Sequence, residues 1–299
     1  MGFKPPMTIR SFTIRSGRTQ SMPTDTLPDL TTAYPVTDAQ VAAYRSNGHV
    51  RLTQVATQEE ATAYRRPVAS TVERLSTETR PLAERDSYGM AFLQVMNLWR
   101  HDESVARFVL ATRFAGVAAR LLGVPRVRLY HDQALFKEPG GGYTPWHQDA
   151  MYWPLDGSRC LTMWMPLVDI TPAHGGLAFA TGSHVDGPLS DIGISDASEE
   201  RFDRLVAERG LVVDGPVAMR AGDASFHSGW TVHRALGNSS TQMREVMTVI
   251  WFADGLTVLD PANPAQANDL ASWLPGLAPG ALAVSAANPA LGGPSGGGV

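Results

Sequence analysis

The sequence predicts a mainly β fold with flanking helices, a double-stranded β-helix of the jelly-roll kind. Three observations carry this. Helical patterns concentrate before Gly123, enough for a thin outer layer. Between Val127 and Phe252, short β-branched and aromatic runs recur, separated by Gly, Pro, Asn and Asp. No fixed-period repeat and no apolar run of membrane-spanning length offers a competing architecture.

Residues 1–34 have scattered Thr, Ser, Pro and basic residues without a period, and read as a flexible leader. The β-helix domain is expected over 35–255, with a lid insertion at about 185–210. Thr37-Asp38 opens a capped helix that ends near Gly48. A strand from Gly48 to Val55 and a helix from Gln58 to about Leu75 follow. Arg80 to Trp99 is mixed and reads as loops over the barrel. Val105 to Leu122 is helical, with Val105, Phe108, Val109, Val117 and Leu121 near one face. Gly123-Val124-Pro125 ends it.

Val127 to Phe136 alternates as a strand, with Val127, Leu129, His131, Gln133 and Leu135 on one side. His147 to Met151 and Cys160 to Val168 read as further strands. Glu199 to Arg209 reads as a short exposed helix before a strand from Leu211 to Met219. After Phe252 the pattern fades, and residues 256–299 read as a Pro/Gly/Ala-rich tail.

Composition narrows the function. The 299 residues are 43% hydrophobic, enough for a core of their own. A net charge of −4 leaves no basic footprint for nucleic acid. Cys160 is the one cysteine, so there is no internal disulfide framework, and a reducing cytoplasm is expected. The basic N-terminal residues lack the apolar stretch of a signal peptide. Lys is scarce while Ala, Gly and Pro abound, the composition of a GC-rich genome.

The stretch Thr144-Pro145-Trp146-His147-Gln148-Asp149 carries the chemistry. On a strand, His147 and Asp149 point to the same face. An imidazole with a carboxylate suits Fe(II), Mn(II) or Zn(II). Downstream, His233 and Arg244 flank the turn-forming Gly237-Asn238-Ser239-Ser240. A hairpin centred between Asn238 and Ser239 would set His233 opposite Arg244, with Cβ atoms about 5 Å apart. Two His and one carboxylate with open positions is the pattern of non-haem Fe(II) oxygenases. A guanidinium behind the metal suits the far carboxylate of 2-oxoglutarate.

His147-Gln148-Asp149 with His233, Asn238 and Arg244 resembles the phytanoyl-CoA dioxygenase (PhyH-like) family of Fe(II)/2-oxoglutarate oxygenases. Gly175-Gly176-Leu177 and Gly182-Ser183-His184 add to the likeness, which runs from about Val36 to Phe252. The resemblance implies a cupin-like barrel, metal ligation by His147, Asp149 and His233, and co-substrate anchoring by Arg244. It implies Fe(II), 2-oxoglutarate and O₂ as cofactors, with ascorbate as reductant in assay. Gln133, Trp164 and Lys137 are further co-substrate candidates; a surface Gln, a core Trp and a solvated strand-end Lys are the plain alternatives. Many relatives carry Gly-Ser after the distal His, whereas this chain has Arg234-Ala235. Because Asp149 is kept, halogenation is disfavoured.

Phe92, Gln94, Met96, Asn97, Met151 and Trp153 flank the motif and either line a substrate pocket or pack the barrel. His227 is a rival distal ligand, read as a core or supporting His. The expected partner is a small, largely apolar molecule, with no nucleic acid and no membrane. Bacterial enzymes of this resemblance often tailor natural products such as aromatic polyketides. Two other readings remain at this point: a zinc hydrolase on the same ligands, and a cupin-like binding protein without turnover.

Overall fold

Two antiparallel sheets enclose a cavity in the computed structural model, which describes residues 27–292. The larger sheet has the order β1 (His49–Leu52), β8 (Ala224–Ser228), β5 (Cys160–Pro166), β10 (Val246–Ala253), β3 (Val127–Phe136), β11 (Ala290–Leu291). Strand β2 (Leu93–Met96) also pairs with β3. The smaller sheet runs β4 (Thr144–His147), β9 (His233–Ala235), β6 (Leu177–Ala180), β7 (Val213–Asp214). This is the double-stranded β-helix expected from the sequence.

Strand alternation decides what faces the cavity. Along β10, Met247, Val249 and Trp251 join the main core, while Thr248 and Ile250 line the cavity. Along β5, Leu161, Met163 and Met165 go to the core, and Thr162 and Trp164 go inward. The core is closed by helices α1 (Asp38–Asn47), α2 (Gln58–Leu75), α4 (Glu103–Val109) and α5 (Thr112–Leu122). Capping boxes start the first two: Thr37 with Gln40, and Thr57 with Glu60.

Strand β3 departs from simple alternation. Its pairing with β10 shifts between Ile250, opposite His131, and Trp251, opposite Leu129. Tyr130 is the extra residue of a bulge. Val127 and Leu129 therefore face the core, whereas His131, Gln133 and Leu135 face the cavity. The single face expected from the sequence is two faces joined at Tyr130.

Other boundaries shift for local reasons. The expected helix from Val105 to Leu122 is two helices, because the amide of Arg113 in the first turn of α5 is taken by the carbonyl of Leu30. Leu30 is buried in the core and Pro28 accepts a bond from the Tyr64 hydroxyl, so residues 27–34 are tied down rather than a leader. The leader expectation for residues 1–26 lies outside the described residues. The region read as loops before Trp99 contains α3 (Ser87–Ala91) and β2. The strand expected from Leu211 to Met219 is only β7; Gly215, at φ 102°, and Pro216 end it.

The expected tail is the largest correction. Residues 256–292 carry α7 (Pro264–Trp273) and β11, which pairs with β3. Asn263 caps α7 with Pro264 in its first turn. Val258, Leu274 and Ala283 are buried in a second core with Tyr130, Trp153 and Phe252. The glycine run at 293–299 lies outside the described residues.

Candidate metal centre

Strand β4 stops at His147, two residues before the carboxylate. Asp149 opens a 3-10 turn, Asp149–Tyr152, so the strand expected to continue to Met151 is absent. The two side chains converge all the same: His147 Nε2 is 3.5 Å from Asp149 Oδ1. His147 pairs across the ladder with His233 of β9, and their rings lie 4.1 Å apart. His233 Nε2 is 3.7 Å from Asp149 Oδ1. One donor atom from each of the three residues lies within 4.8 Å of the others, a group that could hold a metal ion.

The hydrogen bonds orient these donors. The His147 Nδ1–H donates to the Pro145 carbonyl at 2.7 Å, and the His233 Nδ1–H to the Thr231 carbonyl at 3.0 Å. A carbonyl can only accept, so both Nε2 atoms keep their lone pairs for the cavity. Asp149 Oδ2 accepts from Thr162 Oγ1 at 2.8 Å and from His227 Nε2 at 3.1 Å. This leaves Oδ1 facing the two other imidazoles. Burial pushes Asp149 up, but His233, His147 and His227 outweigh that and hold it well below the usual carboxylate range. Burial, then His147 and His227, keeps His233 well below its usual value, hence neutral. His227, read from the sequence as a core or supporting His, lies outside the donor group and bonds to Asp149.

Arg244 does not face His233. Strands β9 and β10 belong to opposite sheets, so the expected hairpin register fails. Arg244 pairs with Lys137, extending the β3–β10 ladder in which Thr248 faces Gln133. It reaches the cavity from the large sheet instead. Its Cζ lies 5.4 Å from the Trp164 ring centroid, and Nη1 donates to the Gly175 carbonyl. Nε has no partner, and among the described residues no carboxylate pairs with it. Burial lowers its pKa to about 9, so the guanidinium stays charged at neutral pH.

Of the other co-substrate candidates, Gln133 and Trp164 line the cavity. Gln133 Oε1 accepts from Gln94 Nε2 at 2.5 Å. Lys137 is a correction: it is fully buried, donates to the Gly142 carbonyl and is not part of the cavity lining. Burial first, then Arg244, lowers it to about 6.

The cavity holds about 250 Å³. Of the residues left open between pocket lining and barrel packing, Phe92, Gln94, Met96 and Trp153 line it. Asn97 and Met151 do not: Asn97 accepts from Trp99 Nε1 in a left-handed turn, and Met151 is buried against Asn263. Tyr152 also lines the cavity, and sequence reasoning missed Ile194, Asp269 and Trp273 on this wall. The capped helix start at Asn263-Pro264 was the available signal for the last two.

Helix α6 (Asp196–Glu208) covers one side. It was expected to be exposed, yet Phe202 and Val206 pack on Trp146, Ala178 and Val232. Arg234 explains the packing. Its Cζ lies 4.5 Å over the Trp146 ring, and Nη1 donates to Glu199 Oε1 at 2.7 Å. Glu199 Oε2 accepts from the Trp146 amide at 2.7 Å. Gln148, between the two expected ligands, donates to the Gly187 and Trp230 carbonyls and accepts from the Leu189 amide.

A jelly roll in which two imidazoles and a carboxylate converge beside an unpaired buried guanidinium is the frame of an iron(II)- and 2-oxoglutarate-dependent oxygenase. The chain belongs to the phytanoyl-CoA dioxygenase (PhyH) family, whose model matches residues 44–246. It is 30% identical over 116 residues to Phytanoyl-CoA dioxygenase 1 of Oryza sativa subsp. japonica, a match to 38% of this chain and 41% of that protein. Less than half of that relative's length is therefore spanned. A solved structure similar to it is the non-heme alpha ketoglutarate dependent carbocyclase SnoK from nogalamycin biosynthesis, at 26% identity and TM-score 0.70, over 87% of this chain and 98% of that one. The epimerase SnoN in complex with Fe³⁺, alpha ketoglutarate and nogalamycin RO is 24% identical, with TM-score 0.68, over 85% and 97% of the two chains. That second likeness bears on the fold. Family membership makes the protein an iron(II)/2-oxoglutarate-dependent oxygenase with those two cofactors, and sets aside the zinc hydrolase and the binding protein. Among the described residues, no helix is long and apolar enough to cross a membrane.

Proposed function

We propose that the protein oxidises an unactivated C–H bond of a small, largely apolar molecule, as a tailoring step on a natural product such as an aromatic polyketide. The observation that carries this is the pairing of a three-donor group with an unpaired buried guanidinium in one mostly apolar cavity. His147, Asp149 and His233 would hold the iron, and Arg244 the far carboxylate of 2-oxoglutarate. When bound, the pair supplies a strong one-electron oxidant from O₂, with release of succinate and CO₂.

The chain's own residues do the rest. The carbonyls of Pro145 and Thr231 hold the imidazoles, while Thr162 and His227 hold Asp149. Trp164 lies beneath the guanidinium and narrows the cavity there. Phe92, Met96 and Trp153 offer apolar surface to the substrate, and α6 with Ile194 keeps water out. Hydroxylation is the default outcome; the SnoK and SnoN likenesses make cyclisation or epimerisation the outcomes to look for next. Among the described residues, Arg244 is the sole Lys or Arg of the cavity lining, which argues against a site there for the phosphates of an acyl-CoA.

The test is 2-oxoglutarate turnover with added iron(II), in the presence of polycyclic aromatic polyketides or of acyl-CoA esters. Succinate release stimulated by a polyketide and matched by an oxidised product supports the proposal. Stimulation by acyl-CoA alone would overturn the substrate class.

A further inference from the structure

We infer that Asp269, with the rings of Tyr152, Trp153 and Trp273, forms a subsite for a protonated amine carried by the substrate. The inference rests on the oxygenase reading above and names one feature of the substrate. Among the described residues, two carboxylates line the cavity, Asp149 and Asp269. Asp149 is accounted for by its imidazoles. Asp269 comes from α7, remote in sequence from the metal group. Its Oδ2 accepts from the Tyr130 hydroxyl at 3.0 Å. Among the described residues no Lys or Arg pairs with it.

A carboxylate in an apolar cavity without a cation is costly unless a ligand brings one. Burial accordingly pushes Asp269 up to about 7, although bonds from Tyr130 and Trp273 act the other way. His131 packs on this wall against Trp273. It is 4% exposed, its Nδ1 has no partner, and burial lowers it to about 4, so it stays neutral and supplies no charge.

The surroundings favour a cation over a plain hydroxyl. Trp273 lies one helical turn beyond Asp269 on the same face of α7 and also lines the cavity. Its ring is 5.0 Å from His131. Tyr152 and Trp153 close the same wall, and the Tyr152 phenol feels the charge of both Asp149 and Asp269. Aromatic rings lining the cavity beside a carboxylate can add ring quadrupole to charge in attracting an ammonium. A hydroxyl would use only the hydrogen bond. The subsite therefore orients an aminated substrate, with its amine on α7 and the rest of the molecule reaching toward the metal group.

The experiment uses simple probes. The full-length protein, loaded with iron(II) and 2-oxoglutarate under nitrogen, is titrated with benzylamine, benzyl alcohol and toluene at about pH 8, where the amine is protonated and Asp269 ionised. Binding is followed by tryptophan fluorescence, since Trp153, Trp164 and Trp273 line the cavity. Benzylammonium should bind roughly tenfold or more tightly than benzyl alcohol. Asp269→Asn should abolish that preference and leave toluene unaffected; Asp269→Glu should keep part of it. Equal binding of amine and alcohol by the wild type, no saturable amine binding, or a preference that survives in Asp269→Asn overturns the inference. The titration is repeated without iron and 2-oxoglutarate. A preference present in both series stands apart from the fate of the oxygenase reading, which succinate release decides.

Discussion

Arg244 lies opposite Lys137 at the end of the β3–β10 ladder, and both side chains are buried with no carboxylate partner among the described residues. Burial alone lowers Arg244, while burial first and then Arg244 lower Lys137 to about 6, so at neutral pH the guanidinium carries the charge and the amine is mostly neutral. An anion placed against Arg244 would offset the burial of its charge. Arg244 alone of the two lines the cavity, and its charge is what the proposed anchoring of the far carboxylate of 2-oxoglutarate rests on.

Lys137 makes folding sensitive to pH. Its folded-state value of about 6 lies below its usual 10.5. Between these values the unfolded chain binds more protons, so stability should rise with pH across that window and be lost as pH falls toward 6. Lys137→Met should therefore stabilise the protein more near pH 6 than near pH 9. Denaturant unfolding of both proteins at the two pH values checks this. An equal effect at both would contradict it.

His227 supports Asp149 without joining the donor group. His147→Ala and His233→Ala should abolish stoichiometric iron binding. His227→Ala should bind iron with roughly 10–100-fold weaker affinity or activity, because Thr162 still holds Asp149. Iron content after gel filtration tests this; full iron in His233→Ala with none in His227→Ala would reverse the assignment.

Arg234 pins α6 to the strand that carries His147. Arg234→Ala should cost about 1–2 kcal/mol, from a stacked cation and a half-buried ion pair. Amide exchange across Asp196–Glu208 should quicken, and wild-type exchange there should slow when 2-oxoglutarate and substrate bind. Unchanged exchange in the variant would show that Phe202 and Val206 hold the helix alone.

The C-terminal segment is part of the fold. Leu274→Ala should destabilise the protein by roughly 2–5 kcal/mol, since Leu274 is fully buried. A melting temperature within error of wild type would contradict this.

The β-helix and the donor group were legible in the sequence because strand periodicity and donor chemistry are local properties. Val127–Phe136 and Gln58–Leu75 match their expected bounds. The partner of Arg244 was not legible. A turn at Gly237-Asn238 looks the same whether the chain doubles back as a hairpin or crosses to the other sheet. Asp149 converged on His147 for a reason other than strand alternation: the strand ends and a 3-10 turn swings the carboxylate round. The bulge at Tyr130 and the role of α7 depend on contacts between distant segments, which no local pattern encodes.

The central claim is that Arg244 anchors 2-oxoglutarate in the cavity that holds the iron. The measurement is succinate formation as a function of 2-oxoglutarate concentration in wild type, Arg244→Lys and Arg244→Ala, at saturating iron(II). Losing the guanidinium should cost roughly 2–5 kcal/mol, which raises the half-saturation concentration well over tenfold. Arg244→Lys should recover part of this, because it keeps the charge but loses the fork geometry. Iron binding should be unchanged in both variants. An Arg244→Ala protein with the wild-type half-saturation concentration would contradict the account.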